Sequence, residues 1–377
     1  MKKLIVIGTL FLAACVAARE EHFSSNEVGM DYEFGCDRHY LRAMEEHIRN
    51  PIRQKRNVQI DPLNASFHLN TRLNVHETQV LNIGDIQSVM SSNFNASIPT
   101  RIIVHGFCNC RHSDFCLTTK DAFLERAEYN VITVNWQSGK QLNDYWIARK
   151  RIHPTAEKLA KLIDFLNEKA GLRFEDLYLV GHSLGAHLSG LTGKAVRRGK
   201  INTIIALDPA KPMFDMGKPT DRLAETDANY VEVIHTNGGK LGLFDPVGHT
   251  DFYPNGGQKQ PGCWGWWFGS SCSHGRAWEF YAESIVSMVG FWSTRCDSLN
   301  QVSPAGCRSP KAKLKMGGEP IVAQNRGILT VETHADAPYA RGKLDIGSKR
   351  WRLEKKRAQF YADKKRSKKL KMINEIY

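Results

Sequence analysis

The segment from Leu177 to His187, Leu-Tyr-Leu-Val-Gly-His-Ser-Leu-Gly-Ala-His, restricts the chain to very few folds. Its first four residues form a short apolar run of the kind found in buried strands. Gly181-His-Ser183-Leu-Gly185 then turns the chain directly into a helical pattern. A sharp strand-to-helix turn exposes the serine oxygen at the strand's end. It also aims a helix N-terminus at developing negative charge, while the glycines allow close backbone packing. The rest of the chain agrees with a parallel α/β sheet. Residues 101–104, 131–136, 203–207 and 230–234 read as further buried strands. Between them Leu159, Leu162, Ile163 and Leu166 recur at helical spacing before Gly171, a C-terminal cap. No internal repeat is visible.

An exposed serine becomes a nucleophile only with a base, and the base needs a carboxylate to orient it. Where the serine sits on such a turn, the chain order is serine, acid, histidine. The strand at 203–207 ends at Asp208-Pro-Ala, which puts a carboxylate on the same rim as Ser183. An Asp before Pro is also a common turn former. Downstream lie His235, His249, His274 and His334. His274 is the predicted base, on a loop beside Cys272 and just before a helical run at 277–289. His235 ends a strand and His249 sits in a Gly/Asp/Pro turn, so both are predicted to be structural. Two backbone N–H donors must face the developing oxyanion. One is predicted from Leu184, and the other from the loop after the strand in Arg101-Ile-Ile-Val-His-Gly-Phe107.

The N-terminus predicts export. Lys2 and Lys3 precede an apolar run over 4–14, and Val16 and Ala18 stand at −3 and −1 before Arg19. Leu12-Ala-Ala-Cys15 also has the form of a bacterial lipoprotein box. Removal of 1–18 leaves Cys36, Cys108, Cys110, Cys116, Cys263, Cys272, Cys296 and Cys307, an even number that implies at most four disulfides. Cys108-x-Cys110 with Cys116 lacks the C-x₂-C spacing of a zinc site. Asn64 and Asn95 begin glycosylation sequons.

Residues 19–56 are polar and end in Arg53-Gln-Lys-Arg56, either a dibasic processing site or a basic loop. The predicted catalytic domain is 57–342, followed by a basic tail at 343–377. Charge separates the two. The 52 Lys/Arg and 39 Asp/Glu leave +13, but 341–377 alone carries 14 against 4, or +10, and the leader's lysines +2. Residues 19–340 therefore hold +1. The tail reads as a solvated end or as a tether to anionic lipid or polyanion.

In order along the chain come His105-Gly-Phe, Gly181-His-Ser-Leu-Gly-Ala-His, Leu207-Asp-Pro-Ala, Val233-Ile-His-Thr, Gly248-His-x-Asp-Phe-Tyr-Pro-Asn-Gly-Gly, Pro261-Gly-Cys and Cys272-x-His-x-Arg276. This series resembles animal lipases of the pancreatic lipase family, including its phospholipase and insect members, over about residues 60–342. The resemblance implies an α/β-hydrolase fold with a mostly parallel central sheet flanked by helices. It further implies Ser183, Asp208 and His274 as catalytic residues, and Phe107 and Leu184 as oxyanion donors. It pairs Cys263 with Cys272 around a lid, and Cys296 with Cys307. The partners of Cys36, Cys108, Cys110 and Cys116 do not follow.

The departures bear on substrate. The lid holds eight residues, so at ~3.5 Å per residue, out and back, it reaches about 14 Å, too short to roof a long acyl cleft. With a short neighbouring loop between Gly238 and Gly248, that resembles the phospholipase side of the family. The lid's Trp264, Trp266, Trp267 and Phe268 suit a loop that dips into a lipid interface. No C-terminal β-sandwich of the family's kind is expected. Pro219 and Ala224 replace carboxylates of the family's calcium site, although Arg222 and Asp227 remain, so no metal or other cofactor is expected. The function expected is a secreted, extracellular serine hydrolase of fatty-acyl esters, phospholipase A1-like or a general lipase, acting at a membrane or micelle interface. A non-enzymatic lipid- or yolk-type binder on the same fold is the alternative. No nucleic-acid partner is expected.

Overall fold

Strands rich in Val, Ile and Leu without polar alternation are covered on both faces, as parallel sheets require. The computed structural model describes residues 65–342, apart from 140–143, 265–266, 304–306, 308–312 and 324. The leader, the 19–56 segment, Cys36, Asn64, Trp266 and the basic tail lie outside the described residues, as do the side chains of Trp267 and Phe268.

In chain order the strands are β1 (Ser66–Asn70), β2 (Gln79–Val80), β3 (Thr100–Val104), β4 (Asn130–Asn135), β5 (Leu177–His182), β6 (Thr203–Leu207), β7 (Tyr230–Ile234), β8 (Thr250–Pro254), β9 (Phe291–Cys296), β10 (Lys313–Met316) and β11 (Gly327–Val331). They form one sheet in the order β10-β9-β11-β8-β7-β6-β5-β3-β4-β1-β2. The centre, from β4 through β3, β5, β6, β7 and β8 to β11, is parallel. The pairs β1–β2, β1–β4, β9–β10 and β9–β11 are antiparallel.

Helices α1 (Ile86–Met90), α2 (Asp114–Arg126), α3 (Tyr145–Ala170), α4 (Leu184–Ala195) and α5 (Trp267–Val286) cover the sheet. Alternate residues of β3 divide between two cores. Ile102 and Val104 pack with Leu159 and Leu162 of α3 and Leu188 of α4. Ile103 packs with Phe123 of α2 and Phe280 and Tyr281 of α5. Gly171 ends α3 at φ 74°, a left-handed cap that glycine adopts without steric cost.

Two expectations change. The strand expected at 177–180 runs on through His182, because Gly181 and His182 still pair with Ala206 and Leu207 of β6. His274, expected on a loop, lies inside α5. Its neighbours Ser270, Ser271, Ser273 and Gly275 are weak helix formers, but tertiary ties override them. Cys272 is bonded to Cys263, Ser273 Oγ accepts the Gln260 N–H at 3.1 Å, and Arg276 donates to the Ala335 carbonyl at 3.2 Å. The strand β8 also escaped the sequence reading, since its Thr-Asp-Phe-Tyr-Pro lies among turn-forming glycines and asparagine.

Candidate active site

Ser183 stands between β5 and α4 at φ 57°, ψ −120°, outside both strand and helix geometry. Such a backbone costs on the order of 1–3 kcal/mol and persists only where its surroundings hold it. Here the Ser183 N–H donates to the Leu207 carbonyl at 3.0 Å, and the Ser183 carbonyl accepts the N–H groups of Ala186 (3.2 Å) and Ala210 (3.3 Å). Close packing does the rest. A Cβ on Gly185 would lie 2.1 Å from the Val104 carbonyl oxygen, so only glycine lets α4 start against the end of β3.

Asp208 continues directly from β6 and is fully buried. Its Oδ1 accepts the N–H groups of Thr236 (2.8 Å) and Asn237 (3.0 Å), and its Oδ2 meets His274 Nδ1 at 2.5 Å. A carboxylate only accepts, so Nδ1 carries a proton, and in a neutral ring Nε2 is the nitrogen with the lone pair. That Nε2 is buried and has no hydrogen-bond partner. A buried polar atom without a partner is uncommon and calls for a ligand or a reacting group. Leu184 N–H opens α4 and has no acceptor within the helix. The loop carrying Phe107 lies against the serine: a Cβ on Gly106 would sit 2.8 Å from Ser183 Cβ and 3.4 Å from its Oγ.

The other histidines have separate roles. His235 donates from Nδ1 to the Leu243 carbonyl at 2.8 Å and meets Asp251 through Nε2 at 2.9 Å. His249 accepts the Val231 N–H at 3.0 Å and precedes β8, at the opposite edge of the sheet from Ser183. The Asp208 carboxylate is thus brought to His274 and to no other downstream histidine among the described residues.

Several supporting residues were not singled out from the sequence. His182 Nε2 donates to the His274 carbonyl at 3.1 Å, with the two rings 4.6 Å apart. Burial, and then the neighbouring His274, hold the His182 imidazole well below its ordinary value, so it serves as a neutral strut. His187, pushed to about 3 by burial, bridges the Ala210 carbonyl and the Leu223 N–H at 2.8 and 3.2 Å. Gln260 donates to the carbonyls of Thr236 (3.1 Å) and Pro254 (2.9 Å), steadying the peptide that holds Asp208. His182 and His187 lie in the Gly181–His187 motif itself, which was their only signal.

Disulfides join Cys263 to Cys272 and Cys296 to Cys307. Cys108 and Cys110 are also disulfide-bonded, whereas Cys116 is a buried free thiol pushed up to about 12 by burial. Trp264 is 76% exposed. Asn95 is exposed, with its side-chain oxygen accepting the Ser97 N–H at 2.9 Å.

The family's calcium position can be tested against these residues. Lys194 Nζ ion-pairs with Asp227 and donates to the Arg222 carbonyl at 3.1 Å. An ammonium group therefore already occupies the oxygen donors that calcium would need, and the residues do not fit that metal.

The family model for lipase matches residues 33–328. Pancreatic lipase-related protein 2 of Cavia porcellus is 34% identical over 257 residues, covering 67% of this chain and 58% of that protein. Pancreatic triacylglycerol lipase of Myocastor coypus is 32% identical over 266 residues, covering 65% and 58%. Pancreatic lipase-related protein 2 of Bos taurus is 34% identical over 269 residues, covering 66% and 57%. The chain thus spans less than two thirds of the length of these relatives. With that match over most of its length, and a central strand that turns through a strained serine toward an Asp208–His274 pair, the chain belongs to the lipase family.

Proposed function

We propose that this chain is an exported hydrolase of fatty-acyl ester bonds in lipids, with Ser183 as nucleophile, His274 as base and Asp208 as orienting acid. The observation that carries the reading is the partnerless, buried Nε2 of a histidine whose other nitrogen is fixed on a carboxylate. Ser183 Oγ attacks the ester carbonyl carbon and its proton passes to His274 Nε2. The tetrahedral oxyanion takes hydrogen bonds from the Leu184 and Phe107 N–H groups, and loss of one such donor costs about 3–4 kcal/mol of barrier stabilisation. Nε2 then returns the proton to the departing alcohol oxygen, leaving an acyl-serine. Water, deprotonated by the same nitrogen, releases the fatty acid.

The sn-1 ester of a phospholipid is the preferred bond. Only eight residues separate Cys263 from Cys272, which leaves the mouth open to a charged headgroup. Residues 57–342 form the catalytic unit, 1–18 are the leader, 19–56 a segment removed or retained after export, and 343–377 a basic tail that binds anionic lipid. Asn64 and Asn95 carry glycans in the extracellular space. The test is to incubate purified protein and its Ser183→Ala variant with mixed lipid micelles and identify the bond cut. The variant should be folded and lose several orders of magnitude in turnover. Substantial hydrolysis by folded Ser183→Ala would overturn the mechanism, and faster cleavage of triglyceride emulsion than of phosphatidylcholine would overturn the preference.

A further inference from the structure

Gln260 lies between β8 and the segment closed by Cys263 and Cys272, and it is buried. A buried primary amide carries two N–H donors and a carbonyl acceptor, all of which need partners. Here each has one. Nε2 donates to the Thr236 carbonyl at 3.1 Å and to the Pro254 carbonyl at 2.9 Å, while Oε1 accepts from Asn255 Nδ2 at 2.9 Å. The backbone of the same residue is engaged as well. Gln260 N–H donates to Ser273 Oγ at 3.1 Å, and the Gln260 carbonyl accepts the Cys263 N–H at 3.2 Å. Cys263 is bonded to Cys272, which adjoins Ser273. Gln260, Cys263, the disulfide and Ser273 thus close a ring that ends one residue from His274.

The Thr236 carbonyl leads to the acid. It belongs to the same peptide unit as the Asn237 N–H, which donates to Asp208 Oδ1 at 3.0 Å. In a planar trans peptide the C=O and N–H point in opposite directions. A donor on the carbonyl therefore aims the N–H at Asp208, and by polarising the unit it strengthens that bond. The other side of Gln260 holds the turn of α5 that carries His274. One buried neutral residue thus hydrogen-bonds to the supports of both Asp208 and His274, and to neither of the two directly.

We propose that Gln260 is a positioning residue that fixes Asp208 and His274 against each other, acting through the Thr236–Asn237 peptide and through Ser273. Its kinetic consequence rests on the hydrolase reading above, whereas the geometry of the Asp208–His274 pair can be observed without it. An amide that only filled space could give way to an apolar side chain of like length at a cost in stability alone. A positioning amide also governs turnover and the state of the proton between the two side chains.

The test compares the full chain with Gln260→Met, which keeps the length and removes the amide, and with Gln260→Glu. The first readout is the proton on His274 Nδ1, which its 2.5 Å contact with Asp208 Oδ2 places far downfield in the proton NMR spectrum. Folded Gln260→Met should move that resonance upfield or lose it to exchange with water. With p-nitrophenyl butyrate as substrate, kcat should fall by about ten- to a hundredfold, as for a displacement of up to about an ångström, and KM should change little.

Gln260→Glu adds a pH signature. Burial against two carbonyl oxygens raises its carboxyl above the usual carboxylate range, and the protonated form restores one of the two donors. The ionised form has none and repels both carbonyls. The kcat of Gln260→Glu should therefore exceed that of Gln260→Met at about pH 5 and fall below it at about pH 9. The charged groups around the site, Asp208 behind Thr236, His274 beside Ser273, Arg276 beside Gly262 and exposed Lys259, are common to both variants. Wild-type resonance and kcat in folded Gln260→Met would overturn the proposal, as would two variants whose pH profiles do not cross. Should Gln260→Met not fold, Ser273→Ala should show a smaller loss of the same kind, and an unchanged resonance and kcat there would overturn the proposal instead. If the wild-type chain leaves the ester uncleaved, the hydrolase reading falls, while the resonance still decides the positioning claim.

Discussion

Gly242→Ala would test how tightly the carboxylate proposed to orient His274 is confined. A Cβ at this position would lie 2.3 Å from Asp208 Oδ1, and 2.5 Å from both Cγ and Oδ2. The glycine cannot retreat, because Gly242 N–H donates to the Asn237 carbonyl at 3.2 Å and its neighbours are stitched to the Asp208 segment on both sides. Leu243 N–H donates to the Pro209 carbonyl at 2.8 Å and Lys211 N–H to the Leu241 carbonyl at 2.7 Å. The carboxylate must therefore shift by about an ångström. It then gives up either the amides of Thr236 and Asn237 or the His274 contact. Overpacking of this kind costs about 1–3 kcal/mol of stability, a fall of several degrees in Tm. The catalytic loss should be larger in proportion, since an acid that no longer fixes its histidine lowers turnover by up to ~10⁴. The expected result for a soluble ester is kcat down by about 10²–10⁴ with KM little changed. Gly239→Ala is the control: its φ of 81° makes alanine strained, but nothing lies within 4 Å of the added Cβ. That variant should lose some stability and keep its kcat. Near-wild-type kcat for Gly242→Ala would refute the claim that Asp208 has no room to move.

His182→Phe removes one neutral hydrogen bond to the His274 carbonyl, about 1 kcal/mol, and should lower kcat roughly fivefold without moving KM; an unchanged kcat would deny His182 a positioning role. Metal chelation should leave hydrolysis unchanged, while Lys194→Met, by leaving the Asp227 carboxylate buried without its cation, should cost roughly 3–5 kcal/mol in denaturant titration. Burial pushes the Glu232 carboxyl from 4.5 up to about 7, and the native state therefore holds its proton more tightly than the unfolded chain does. Its stabilising effect is full below pH ~4.5 and is lost as pH rises through about 7, so Glu232→Gln should gain up to about 3 kcal/mol relative to wild type above neutrality and nothing at pH 4. Parallel stability profiles for the two proteins would contradict that assignment.

The parallel centre of the sheet was legible because burial on both faces leaves continuous apolar runs; 203–207 and 230–234 match β6 and β7 residue for residue. The elements that escaped lack such a signature. β9 alternates Phe-Trp-Ser-Thr-Arg-Cys, and β10 carries lysines because it is the edge of the sheet. Ser183, Asp208 and His274, which we propose as the catalytic residues, could be named from order and motif, but the groups that hold them could not. The amides of Thr236 and Asn237 and the carbonyls of Ala210 and His274 are backbone groups, which no side-chain pattern encodes. The helical setting of His274 was hidden for a related reason, because it depends on a covalent tie and on contacts from Gln260 and Ala335 that are distant from local propensity.

That covalent tie would also bear on how the chain matures during biosynthesis. Cys272 lies two residues before His274, on the same turn of α5, and bonds to Cys263. The local sequence there is too poor in helix formers to hold the turn unaided. If His274 is the base, as proposed, that bond would help seat it on Asp208 alongside the Gln260 and Ala335 contacts, so oxidation would be one step in arming the chain. A newly made polypeptide in a reducing compartment would then hold its histidine less firmly than its serine and its acid. On the proposed function, membranes met before that oxidation would face a less active chain.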